Sequence, residues 1–287
     1  MTGSPCVCTA ELPLAGGRSV CGTLPALLMG ILNATPDSFW EGSRVDSYNG
    51  GVEKAQALVE EGADILDIGG ESTRPGSSYV SASEEIDRIL PLIEGIRRYS
   101  TVPISVDTRK SVVLEAALKS GADILNDISA LEDDPRIASV AASYQIPVIL
   151  MHKQGTPDTM QVHPQYDDAV RDICAYLLER AECARSAGIL PDRIILDPGI
   201  GFGKRHEDNC ALLIELAQIT HTGYPVLVAL SRKSLIGRLT GRETGDRLAG
   251  TLAANLLAVQ RGARILRVHD VAATRDTLAV LSALAGA

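Results

Sequence analysis

The chain is poor in aromatic residues: 7 Tyr, 2 Phe and 1 Trp among 287. A core without rings must be built from Leu, Ile, Val and Ala, the residues of buried parallel strands covered by helices. Basic charge is also short, with 27 Lys and Arg against 36 Asp and Glu and a net charge of −9. That balance argues against nucleic acid or an anionic membrane as the main partner, and leaves room for a local cation cluster on a small anion. No apolar run approaches the roughly 18 residues of a membrane span. The first residues lack the basic and apolar regions of a secretory signal, so a cytoplasmic protein is expected. The six cysteines (6, 8, 21, 174, 183 and 210) form no C-x-x-C pair and no zinc spacing, which leads us to expect free thiols.

What is present is alternation. Residues 1–24 are rich in Gly and Cys and lack sustained periodicity, so they read as an N-terminal extension or a short hairpin; 25–287 read as one unit. Eight short apolar runs follow, at 27–32, 65–68, 103–106, 124–127, 147–151, 194–196, 226–230 and 265–268. Helical patterns separate them, among them 51–61, 83–99, 110–120, 166–187, 209–218 and 247–260. The phrases EGADIL (61–66), SGADIL (120–125) and RGARIL (261–266) each place Gly where a helix C-cap belongs, with a strand starting at once. Eight such units favour an α/β fold of the (β/α)₈ TIM-barrel type, a single domain with a short N-terminal extension, over the rival open Rossmann-like sheet. Barrels of about 250 residues form one domain.

Active sites of such barrels sit at the C-terminal ends of the strands. There the chain offers Asn33; Asp67 followed by GGESTRPGS; Asp107 and Thr108; Asn126, Asp127 and Ser129; His152, Lys153 and Gln154; Asp197 and PGIGFGK; Ser231, Arg232 and Lys233; and Arg267, His269 and Asp270. Charge of both signs around one mouth points to a polar ligand cavity, since buried charges need partners. Asp107, Asn126 and Asp197 suit a flat heterocycle with ring donors and acceptors, because a carboxylate takes two parallel bonds from an amidine-like edge. Arg74, Arg267, His269 and the amides opening the last helix suit phosphate. GIGFGK (199–204) satisfies neither nucleotide-loop spacing: its third glycine would fall on Lys204. The histidines other than His269 are expected to be structural or superficial.

Together the segments MGILNATPDSF (29–39), DIGGESTRPG (67–76), VDT (106–108), NDIS (126–129), MHKQGTPDTMQ (151–161), DPGIGFGK (197–204), SRKSLIG (231–237) and RVHD (267–270) resemble the dihydropteroate synthase family, in that family's order. The resemblance implies condensation of 6-hydroxymethyl-7,8-dihydropterin pyrophosphate with p-aminobenzoate in folate biosynthesis. It also implies Mg²⁺ dependence, a homodimer, and sulfonamides competing at the aminobenzoate site. By motif position, Asp107, Asn126, Asp197 and Lys233 would hold the pterin, with Phe202 and Met151 lining its pocket. Asn33, Arg267 and His269 would hold pyrophosphate, Asn33 also at the metal. Thr73, Arg74 and Pro75 in a mobile second loop, with Phe39 from the first loop and Ser231, would shape the aminobenzoate site. Asp107, Arg74 and Lys233 are the expected catalytic residues. Four positions depart from the family: Trp40 and Glu41 in the first loop, Ala34 before it, and Lys153 where Met is common. Two other functions remain in view: a methyltetrahydrofolate–corrinoid methyltransferase, and a silent paralogue that binds pterin without turnover.

Overall fold

The computed structural model describes residues 10–34, 44–72, 77, 79–155, 160 and 164–285, with backbone alone at 44–48 and 285. Eight parallel strands are joined by helices: β3 Leu27–Asn33, α1 Arg44–Glu60, β4 Ile65–Gly69, α2 Ala82–Arg97, β5 Ile104–Asp107, α3 Ser111–Lys119, β6 Ile124–Asp127, α4 Ile137–Tyr144, β7 Val148–Met151, α5 Ala169–Ser186, β8 Ile194–Asp197, α6 His206–Ile214, α7 Ala217–Thr220, β9 Leu227–Val228, α8 Ser234–Thr240, α9 Leu248–Gln260, β10 Ile265–Val268 and α10 Val271–Ala285. The sheet runs β8-β7-β6-β5-β4-β3-β10-β9, and a parallel bridge from Leu196 to Val226 joins its two edges. The sheet therefore closes into a barrel, and the open Rossmann-like alternative falls.

The repeated glycines do what their spacing predicts. Gly62, Gly121 and Gly262 have φ of 96°, 105° and 96°, the region that ends a helix without a Cβ penalty. After Gly62 and Gly121, the Asp two residues on ties down the neighbouring, earlier strand: the Asp64 carboxylate accepts the Leu28 N–H of β3 at 2.8 Å and Asp123 accepts the Ile104 N–H of β5 at 2.9 Å. Some element boundaries move for local reasons. The helix expected from 166 starts at Ala169, because Asp168 caps it by accepting the Arg171 N–H. The strand expected over 226–230 keeps ladder pairing only at Leu227–Val228, where it meets β10. The pattern at 209–218 divides into α6 and α7.

Strands alternate faces, and so divide the core in two. Leu28, Leu66, Val106, Leu125, Leu150 and Leu196 point outward and pack under the helices. Leu27, Ile65, Ile124, Ile149, Ile195 and Ile265 point inward, where they meet Leu12, Leu14 and Val20. Those last residues belong to an antiparallel hairpin, β1 Ala10–Pro13 with β2 Ser19–Gly22, whose apolar face plugs the bottom of the barrel. Leu12→Ala is expected to destabilise the protein by about 2–3 kcal/mol through the cavity left in the plug, with pterin affinity unchanged. Denaturant melts and calorimetry on the same variant check this; a stability equal to wild type would remove the plug's role.

One expectation is corrected here. Cys21, at the end of this hairpin, is disulfide-bonded, whereas Cys174, Cys183 and Cys210 are free. Sequence spacing does not reveal such a pair, because a disulfide is set by where the fold brings two Cβ atoms.

Candidate active site

On each inward strand face, the residue two places beyond the lower layer, apolar except for Ser105 on β5, lies in the upper layer of the barrel. That step takes Ile65 to Asp67, Ser105 to Asp107, Ile124 to Asn126, Ile149 to Met151, Ile195 to Asp197 and Ile265 to Arg267. One alternation thus builds both the apolar plug and, a layer higher, the polar site.

Arg267 stands at its centre. Its Nε donates to Asp67 Oδ2 at 2.6 Å and its Nη2 to Asp107 Oδ2 at 3.1 Å. Asn126 donates its amide to both Asp67 oxygens, at 3.3 and 3.2 Å. Burial raises the Asp107 carboxyl well above its ordinary range, and Asp67 adds to this, while Arg267 opposes both. Arg267 thus joins these two acids and offsets part of the cost of burying Asp107.

Across the mouth, Asp197 is 4 % exposed, and its Oδ1 accepts the Gly199 N–H at 2.7 Å. Burial raises its pKa and Lys233 pulls it back. Lys233 donates to the Ile200 carbonyl at 2.5 Å and sits 4.7 Å above the Phe202 ring. Burial and the neighbouring Arg267 draw the Lys233 ammonium down to about 8, against the pull of Asp197. Met151 is buried beside this group, at the end of β7.

The segments SRK and RVHD meet at the next strand ends. The His269 N–H donates to Ser231 Oγ at 3.2 Å, and that oxygen lies 3.0 Å from His269 Nδ1. The hydroxyl accepts from the backbone N–H and either donates to the ring or accepts from it, according to the imidazole tautomer. Arg232 turns away and grips Asp270 in a bidentate pair at 3.0 and 2.6 Å. Asn33 ends β3, half-buried at the mouth.

The structure therefore brings Asn33, Asp107, Asn126, Met151, Asp197, Phe202, Ser231, Lys233, Arg267 and His269 to one end of the barrel. Thr73, Arg74, Pro75, Phe39, Trp40 and Glu41 lie outside the described residues. Two positions before Thr73 in the chain, Glu71 binds Lys110 at 2.7 Å and Arg109 at 3.1 Å and accepts the Val80 N–H at 3.2 Å. Lys153, the departure after Met151 and His152, joins the same row of charges through Asp133, which also holds Arg109. Asp127 serves structure: it accepts from Ser129 and the Leu131 N–H, in a turn where Ala130 and Leu131 have positive φ.

Sequence reasoning missed two parts of the site. Asp67 was visible at a strand end, yet nothing in its spacing distinguishes the counter-ion of Arg267 from any other acidic residue there. Lys204 was visible only as the residue that spoils a nucleotide loop. In the structure it is 3 % exposed beneath the 199–203 turn, against His152.

A closed (β/α)₈ barrel whose mouth holds paired carboxylates, an amide and several cations is an enzyme scaffold for a small polar heterocycle. Residues 29–269 match the model of the pterin binding enzyme family, and the chain belongs to that family. It is 46% identical over 260 residues to the dihydropteroate synthase of Haemophilus influenzae, covering 91% of this chain and 94% of the relative. Among solved structures it is similar to Xanthomonas albilineans dihydropteroate synthase with 4-aminobenzoic acid: TM-score 0.89, 45% identity, 96% of this chain and 99% of the other. The Xanthomonas albilineans enzyme in complex with 7,8-dihydropteroate gives a TM-score of 0.86 and 43% identity, over 96% of this chain and 100% of that one.

Proposed function

We infer that the chain is a dihydropteroate synthase, condensing 6-hydroxymethyl-7,8-dihydropterin pyrophosphate with p-aminobenzoate to give 7,8-dihydropteroate and pyrophosphate. The observation that carries the reading is the convergence of Asp107, Asn126, Asp197 and Lys233 with Arg267 and His269 at one barrel mouth. The family relation and the ligand complexes of its relatives support it.

The residues supply the chemistry as follows. Asp197 and Asn126 present acceptors and donors to the edge of the pterin ring. Phe202 and Met151 cover its faces, and Lys233 adds a donor from the side of Asp197. As the bond from the methylene carbon to pyrophosphate breaks, both electrons leave with the pyrophosphate. Arg267 and the His269 ring stabilise the charge that develops there. The carbon left behind is electron-poor, and the Asp107 carboxylate beside Arg267 stabilises it electrostatically. The amine nitrogen of aminobenzoate then forms the new bond and loses a proton. No side-chain nucleophile is required. Arg74, Thr73, Pro75 and Phe39 are proposed to complete the aminobenzoate side with Ser231.

Mg²⁺ is proposed as the cofactor. Among the described residues no cluster of His, Cys, Asp and Glu is arranged to chelate it. A single amide oxygen from Asn33 fits an ion that keeps most of its shell in water and phosphate oxygens. Such an ion neutralises a departing pyrophosphate.

No helix among the described residues is long and apolar enough to cross a membrane. A cytoplasmic homodimer is proposed; exposed Leu239 on α8 and Val280 on α10 are apolar surface of the kind a second copy covers. Sedimentation equilibrium tests the dimer, and a monomer at micromolar concentration would end that part of the reading.

Turnover with both substrates and Mg²⁺ tests the function. Binding of the pterin without product would mark a silent paralogue, and methyl transfer from methyltetrahydrofolate would mark the corrinoid-type enzyme. Within the same assay, Ser231→Ala should raise the KM for the pterin pyrophosphate by roughly 5- to 10-fold, the worth of about one hydrogen bond orienting His269. An unchanged KM would separate Ser231 from the pyrophosphate side.

A further inference from the structure

Lys204 is a buried amine that takes no part in the chemistry above; burial lowers its pKa well below the ordinary lysine value, against the pull of Asp197. Its Nζ lies 2.9 Å from the carbonyls of Gly199 and Phe202, 3.2 Å from the His152 carbonyl and 2.8 Å from His152 Nδ1. All four are acceptors once the His152 ring is neutral. Burial and the nearby Lys204 press that ring's pKa down to about 3, so the ring is neutral, and the tautomer with its proton on Nε2 lets Nδ1 accept from Lys204. The imidazole is itself held edge-on by the Tyr176 ring at 4.9 Å. Four acceptors around one nitrogen favour the ammonium, with its three N–H bonds, against the cost of burial.

The cradle is formed by the turn that carries the pterin residues. Gly199, Gly201 and Gly203 all have positive φ, and the turn is pressed onto the end of β7. A Cβ on Gly199 would fall 2.0 Å from the His152 carbonyl oxygen, and one on Gly203 would fall 2.4 Å from that of Gln154. No side chain fits between turn and strand, so the turn's height is set by what holds its carbonyls. Phe202 and Ile200 belong to this turn; the first lies under the Lys233 ammonium and the second accepts from it. Asp197 meets the same turn through the Gly199 N–H.

We propose that Lys204 is a positioning residue for the pterin pocket: seated in this cradle, its ammonium fixes the turn 199–203 and, through it, the Phe202 ring and the Lys233 head. This rests on the pterin reading given above. Lys204 touches none of the reacting atoms; it acts through Phe202 and Ile200.

Three variants test this: Lys204→Met, Phe202→Ala and the double variant. In folded Lys204→Met the KM for the pterin pyrophosphate is expected to rise about 30- to 100-fold, the scale of a misplacement near 1 Å, with the aminobenzoate KM within about twofold. Because Lys204 acts through Phe202, the double variant should be little worse than Phe202→Ala. A merely structural lysine would instead lower kcat in step with the folded fraction and leave both KM values alone. Fully additive losses, or a pterin KM equal to wild type, would overturn the proposal. If Lys204→Met does not fold, Lys204→Arg takes its place, since it keeps the charge but cannot seat a planar guanidinium in a cradle shaped for one nitrogen. An unchanged pterin KM there overturns the proposal, as does failure of both variants to fold. Wild-type protein in the same assay keeps the two readings apart: no pterin turnover by wild type sinks the synthase function, whereas wild-type turnover with an indifferent Lys204→Met sinks only the positioning role.

Discussion

Arg267→Met is expected to destabilise the folded protein by about 3–5 kcal/mol at neutral pH, because it leaves Asp67 and Asp107 facing each other without their shared cation. The sign of the pH dependence follows from the same geometry. Burial and Asp67 already raise the Asp107 pKa in the presence of Arg267, and removing the cation raises it further. A carboxyl whose folded pKa exceeds its unfolded value favours the fold while protonated and loses that advantage as pH rises through the folded pKa. With the wild-type Asp107 carboxyl raised to about 8, the variant should lose stability relative to wild type as pH rises above that value, and Arg267→Met with Asp107→Asn should recover part of that loss. Denaturant melts below and above that value decide it. A destabilisation independent of pH would mean that packing of the guanidinium, and not its charge, is what matters. Turnover should also fall steeply, since the same group is proposed to meet the leaving pyrophosphate.

Asp197→Ala should abolish measurable pterin binding, a loss of about 100- to 1,000-fold or more, as for removing one partner of a buried charged hydrogen bond. Asp197 is positioned by the Gly199 N–H on one oxygen and lies within the field of Lys233. Its removal strands a lysine as well as the ligand. Asp197→Asn keeps the shape and the acceptor for Gly199 but not the charge, so it should bind pterin more weakly than wild type and better than the alanine variant. Calorimetry with the pterin alone gives the answer; near-native affinity in folded Asp197→Ala would remove the residue from the site. Far-ultraviolet dichroism and a melt on the same sample show that the barrel is intact.

The two predictions draw on different amounts of sequence. That Asp107, Asn126, Asp197 and Arg267 would share one barrel mouth was legible from the chain alone. Each follows a short apolar run, and parallel strands in a barrel all end at the same face. The glycines at 62, 121 and 262 were legible for a similar reason: positive φ after a helix is a local requirement that a neighbouring side chain cannot waive. The pairing of Arg267 with Asp67 was not legible, although both residues were in view, because they are 200 positions apart and meet only when β10 is laid against β3 and β3 against β4.

Local pattern thus determined the eight strand–helix units, the end of the barrel that carries the site, and most of the residues lining it, since periodicity and capping act over a few residues. Tertiary structure decided the rest. It closed the sheet through Leu196 and Val226, set the 10–22 hairpin against the barrel floor, placed Cys21 in a disulfide, and gave Asp67, His152 and Lys204 their partners. Each of these depends on distance in space between groups remote in the chain, and burial gives such a contact its weight: an acid or lysine that water would satisfy anywhere on the surface must, inside the barrel, find one particular partner.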